Sequence, residues 1–227
     1  MRAVEKGPAR GSLKWLRIAV NEHPTLLNAR VCDSLTLPRS TAIEWKSPRA
    51  DDEYAEYRDE DFLGKLGVEL KQHPLSRFWP ARGPQWDALA TVGSDGLLIV
   101  EAKANIPEAV SPGTSAEGKR RQHIERSLEE TKRFLGVPAD IPWSGKLYQY
   151  ANRLAHLYLL RKLNKKKAYL AFVYFTGATD VDGPKTEAEW RAALTLAKGV
   201  LGLPKRHRLS RYIGDVFIDV SEMTNAA

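Results

Sequence analysis

The sequence predicts an α/β layer fold in which helices flank a mixed central β-sheet. Three observations predict it. Leu97-Leu98-Ile99-Val100 is apolar on both faces of an extended segment, as a central strand covered from two sides should be. Tyr169, Leu170, Phe172, Val173, Tyr174 and Phe175 mark another strand over Ala168 to Phe175. Helical signals stand before, between and after these runs, giving the order helix, three strands, helix pair, strand, helix, strand.

Residues 1–10 are polar. Leu13, Leu16, Ile18 and Val20, then Leu26, Leu27 and Val31, predict short helices over 12–22 and 25–35, parted near Pro24. A short strand is possible around Ala42-Ile43-Glu44-Trp45. Residues 1–46 therefore read as an N-terminal helical extension and 47–227 as the main domain. Ser47-Pro48 suits a helix start, with Ser as cap and Pro in the first turn. Asp51, Asp52 and Glu53 favour the positive helix end, so a helix is expected to run to about Leu66 and stop at Gly67.

A strand near Arg77-Phe78-Trp79 should stop at Pro80. The next two run from Trp86 to Val92 and from Leu97 to Lys103, joined by the turn residues Gly93-Ser94-Asp95-Gly96. Ser115 can cap a helix to Leu135, ended by Gly136 and Pro138. A further helix is expected over 145–164. Thr186-x-x-Glu189 is a capping box for a helix from Glu187 to about Leu201, and a last strand spans 215–220.

Composition bounds the function. The 227 residues carry 43% hydrophobic and 28% charged side chains, ordinary for a globular protein. The net charge of +7 favours a polyanionic partner. A single cysteine, Cys32, excludes an internal disulfide and leads us to expect a reducing, cytoplasmic setting. No apolar stretch approaches membrane-spanning length, so no membrane partner is expected. The five histidines lack zinc-ligand spacing, and no P-loop, dinucleotide or nucleophile-elbow motif is present.

The chemistry concentrates in Pro84-Gln85-Trp86-Asp87 and Ile99-Val100-Glu101-Ala102-Lys103. The predicted hairpin would carry two carboxylates and a lysine to one edge of the sheet. Mg²⁺ takes oxygen ligands, keeps several waters, and is often held by one or two carboxylates. Asp87 and Glu101 are the expected metal ligands, with the Ala102 carbonyl as a third oxygen and Mn²⁺ as a substitute ion. Strand alternation puts Glu101 and Lys103 on one face, where Lys103 would orient water or pair with a phosphate.

These residues resemble the motif of the PD-(D/E)xK nuclease superfamily, over roughly residues 50–175. The match departs in one respect: the residue before Asp87 is Trp86, and Pro84 lies three positions upstream. The resemblance implies a restriction-endonuclease-like core of αβββαβ order and Mg²⁺-dependent hydrolysis of phosphodiester bonds; DNA is the favoured substrate, and the sequence leaves the choice between DNA and RNA open. It further implies an acid from the helix before the sheet: Glu60 is preferred, with Glu56 close behind and Glu53 also considered. The alternative reading is a nuclease-like scaffold that binds nucleic acid or a partner protein without cleaving.

Gln149, Asn152, Arg153 and His156 form one helical stripe beside an apolar one. Gln149 resembles the helix glutamine that some exonuclease-like members use beside the metal, and Arg153 would hold a phosphate. Asn105 and Glu108 are minor candidates. Lys119 and Arg120 open a helix, where positive charge is disfavoured, and so suggest a bound anion. Lys205, Arg206 and Arg208 form the best loop candidate for contact with a nucleic-acid backbone.

Overall fold

In the computed structural model, which describes residues 1–5 and 7–224, five strands form one mixed sheet. They are β1 (Ile43–Ser47), β2 (Ala88–Val92), β3 (Gly96–Lys103), β4 (Lys167–Thr176) and β5 (Ile213–Asp219), in that spatial order. β1, β2 and β3 pair antiparallel, and β3, β4 and β5 pair parallel. The α-helices longer than one turn are α1 (Gly11–Asn21), α2 (Pro24–Ser34), α3 (Glu60–Lys65), α4 (Gly118–Leu135), α5 (Tyr148–Tyr158) and α6 (Glu187–Val200), with a π turn over Leu159–Leu163 extending α5.

Period-two alternation divides the core. Leu98, Val100 and Ala102 of β3 pack with Trp15, Leu16, Leu27 and Val31 of α1 and α2. Leu97 and Ile99 face the other way, into a cluster with Leu128 of α4, Leu154 of α5 and Trp190 of α6. The expected N-terminal extension is thus one layer of the fold, and the boundary at 46/47 falls inside β1. The short strand expected around 42–45 forms as β1 at the sheet edge, and the strand expected near 77–79 does not form. Leu75–Phe78 is instead a short helix whose Phe78 is buried against Trp79 and His156.

The helix expected over 48–66 is broken into pieces. Glu53, Tyr54 and Asp59 all have φ of 52° to 55°, which no α-helix tolerates. Tertiary pairing holds this conformation: Glu56–Tyr57 pairs with Arg2–Ala3, and the Tyr57 carbonyl accepts the Trp86 N–H at 3.0 Å. A single 3-10 turn at Ala50–Asp52 and the short α3 are what remain helical, and Glu60 lies exposed in the first turn of α3.

The β2–β3 turn and the helix ends follow the sequence closely. A Cβ at Gly96 would stand 2.4 Å from the Val92 carbonyl oxygen, so only glycine fits there. Gly136 ends α4 at φ 78°, and the Thr186 hydroxyl accepts the Glu189 N–H at 3.3 Å. α4 begins at Gly118 behind Glu117, three residues beyond the expected Ser115 cap. No helix among the described residues is long and apolar enough to cross a membrane.

Candidate active site

β2 ends at Ala88, paired with Val100, so β3 runs on past it with Glu101, Ala102 and Lys103. Asp87 sits just before that end, two residues from Leu89, and therefore on the same sheet face as Leu89, Ile99, Glu101 and Lys103. The Asp87 carboxylate replaces the missing strand partner: its Oδ2 accepts the Ala102 N–H at 2.7 Å. A strand residue points its N–H and C=O to the same side, so the Ala102 carbonyl also faces the Asp87 edge.

Glu101 is 2% exposed and fully engaged. Oε1 accepts Lys103 Nζ at 2.5 Å, and Oε2 accepts Arg153 Nε at 2.6 Å as well as an Arg153 terminal nitrogen. Burial alone would raise this carboxyl, but the charges of Arg153 and Lys103 overcome it and hold the group below the usual carboxylate range. Burial likewise opposes the charge on Lys103, yet Glu101 and Asp87 keep its ammonium above its ordinary value. Among the described residues Asp87 has no such cation in contact. Burial and the adjacent Glu101 charge push it up to about 8.

α5 delivers three polar side chains to the same place. Gln149 Oε1 accepts Lys103 Nζ at 3.1 Å, and the Gln149 N–H is anchored on Ser111 Oγ at 2.9 Å. Arg153 spends its remaining donors on Asn152 Oδ1 and the Gln85 carbonyl, both at 2.8 Å, and its guanidinium lies 4.7 Å from the centre of the Trp86 ring. Arg153 is 4% exposed, so it is an internal counter-ion and not the phosphate contact expected from the stripe. His156 belongs to the core. It packs among Phe62, Phe78, Trp79 and Trp86, and burial pushes its imidazole down to about 4.

Asp87, Glu101, Lys103, Gln149, Asn152 and Arg153 line one cleft of about 510 Å³. Glu56 lines it too, bonded by Gln85 Nε2 at 2.6 Å, and burial raises its carboxyl. Glu60 does not reach the cleft, so the extra acid at this site is Glu56, held by the two-residue strand and not by a helix. Glu53 is exposed and pairs with Arg2. Asn105 and Glu108 serve locally, capping a short helix and binding the Ala104 N–H.

The cleft rim is basic. Arg58, Arg82 and Arg120 line it, and the buried Nε of Arg58 has no acceptor among the described residues. Arg58 and Arg82 gave no motif in the sequence. Asp59, equally silent, accepts the N–H groups of Arg82 and Gly83 and so shapes that wall. Arg120 reaches the Arg82 carbonyl at 3.3 Å, whereas Lys119 is exposed outside the cleft. Lys205, Arg206 and Arg208 line other concavities, near Lys198 or Phe134.

Among the described residues, no three His, Cys, Asp or Glu side chains gather into a ready-made metal cluster. Two carboxylates and a backbone carbonyl are nevertheless the oxygen set that a water-rich Mg²⁺ site requires. No family model, curated protein or solved structure matches this chain.

Proposed function

We propose that this protein is a metal-dependent nuclease of the PD-(D/E)xK type that hydrolyses phosphodiester bonds in DNA. One observation carries the reading: Asp87, Glu101 and Lys103 line a single cleft whose rim bears Arg58, Arg82 and Arg120. Phosphate esters need positive charge around the phosphate and a positioned water; this wall supplies the charge, and Lys103 is the group that would position the water.

Asp87, Glu101 and the Ala102 carbonyl are the groups that would hold Mg²⁺ or Mn²⁺. When bound, the ion supplies Lewis acidity to phosphate and water. Lys103 orients the attacking water and balances charge, and Gln149 fixes the ammonium through its amide oxygen. Arg58, Arg82 and Arg120 hold the substrate backbone by charge-assisted hydrogen bonds.

A second reading draws on the double occupancy of Glu101 by Lys103 and Arg153. A carboxylate so neutralised suits a scaffold that binds nucleic acid without cleaving it. Supercoiled plasmid and linear DNA incubated with Mg²⁺ or Mn²⁺ separate the two. Cutting by the intact protein that is lost in Asp87→Ala supports the nuclease. DNA bound in a salt-dependent way and never cut supports the scaffold.

A further inference from the structure

α4 connects the cleft to a second positively charged region. Arg120, near its start, lines the cleft, and Arg133, near its end, lines a separate concavity with Phe134, Arg206 and Arg208. Along this helix Lys119, Arg126 and Arg133 recur every seven residues, which places them on one line. All three are exposed, opposite the buried Ile124, Leu128 and Leu135. The line runs 14 residues, about 21 Å at 1.5 Å per residue.

The acids of this helix do not neutralise that line. Glu125 pairs with Arg121, Glu129 pairs with Lys132, and Glu130 accepts the Tyr158 hydroxyl at 2.7 Å. Lys119, Arg126 and Arg133 have no carboxylate partner among the described residues. At the far end, an aromatic ring gathers more cations. Phe134 has Arg208 at 5.2 Å and Lys162 at 5.9 Å from its centre. Cation–π contact holds these side chains in place without removing their charge. Three separate stretches of chain therefore converge on one uncompensated positive surface.

We propose that the exposed edge of α4 and the Phe134–Arg208 cluster form a track for the backbone of a duplex extending away from the cleft. The choice of nucleic acid over other polyanions rests on the nuclease reading. A line of about 21 Å spans roughly six base pairs at about 3.4 Å each. No base-reading motif accompanies it, so the contact is to phosphate and carries no sequence preference.

The test is fluorescence anisotropy with a labelled duplex of roughly 24 base pairs in EDTA, between about 50 and 200 mM salt. The intact protein is compared with Arg126→Gln/Arg133→Gln/Arg208→Gln. A control, Lys14→Gln/Arg39→Gln/Lys71→Gln, removes the same formal charge elsewhere. Losing three phosphate contacts should flatten the slope of log affinity against log salt by about 2.7 and weaken binding at least about 10-fold near 150 mM salt. The control should keep the intact slope. An unchanged slope in the track variant, or an equal fall in the control, overturns the track. So does an intact protein that binds phosphatidylserine vesicles and not the duplex. Because EDTA prevents cutting, the predicted slopes in a protein that never cleaves DNA would fail the nuclease reading and leave the track standing.

Discussion

Arg153→Met tests the internal electrostatics of the site. The substitution keeps much of the side-chain volume over Trp86 and removes the cation from Glu101, which is only 2% exposed. Breaking a buried pair from one side costs about 3–5 kcal/mol, because the remaining charge keeps its desolvation penalty. Lys103 still contacts Oε1, which argues for the lower half of that range. Two further acceptors, Asn152 Oδ1 and the Gln85 carbonyl, also lose their donor, at about 1–3 kcal/mol for each one that stays dry. Taking the low end of each contribution, the expected total is about 5 kcal/mol, or a fall in Tm of roughly 10–20 °C for a chain of this size. Urea unfolding followed by tryptophan fluorescence reads it. Adding Glu101→Gln should recover part of the loss, since the stranded charge is then gone. A cost below about 1 kcal/mol for Arg153→Met, the value of a solvent-screened pair, would refute the buried counter-ion.

Other outcomes follow from the same geometry. His156 is held neutral, so between its ordinary 6.5 and about 4 the unfolded chain binds the extra proton. Stability should be full above pH 6.5 and fall by up to about 3 kcal/mol as pH drops through that window. The difference in urea midpoint between pH 7 and pH 5 should therefore shrink in His156→Phe. Glu56→Gln should lower the cleavage rate and Glu60→Gln should leave it within about twofold, as steady-state kinetics would show. Gly96→Ala forces a Cβ against the Val92 carbonyl and should destabilise the chain by about 1–3 kcal/mol in the same unfolding assay.

The parts of the fold legible in the sequence are those set by local chemistry. The β2–β3 hairpin is written in its apolar run, its Gly-bounded turn and the carboxylates beyond, and the ends of α4 and α6 in Gly136 and Thr186. What was not legible depends on distant partners. The short strand at Ile43–Ser47 is legible in its apolar alternation, but its place at the sheet edge beside Ala88–Val92, and the helix where a strand was expected near 77–79, are not announced by any neighbouring residue. The helix expected over 48–66 fails at three non-glycine residues with positive φ, which propensity cannot foresee. In the site, Asp87, Glu101, Lys103 and Gln149 were readable from alternation and helical spacing. Arg153 shares the stripe with Gln149, but periodicity cannot say whether a long cationic side chain bends inward to a buried acid or outward to solvent. Glu56 was weighed against Glu60 on a helix that does not form, so the choice turned on the wrong geometry.

The proposed phosphodiester hydrolysis depends most directly on Lys103, held between Glu101 and Gln149. Single-turnover cleavage of a short labelled duplex with Mn²⁺, comparing the intact protein with Lys103→Ala at saturating protein, tests it most directly. The account predicts that the variant still binds the duplex in EDTA and cuts it at least about 100-fold more slowly, the usual scale for losing a group that positions or activates water. Cutting at the intact rate with binding preserved would contradict it.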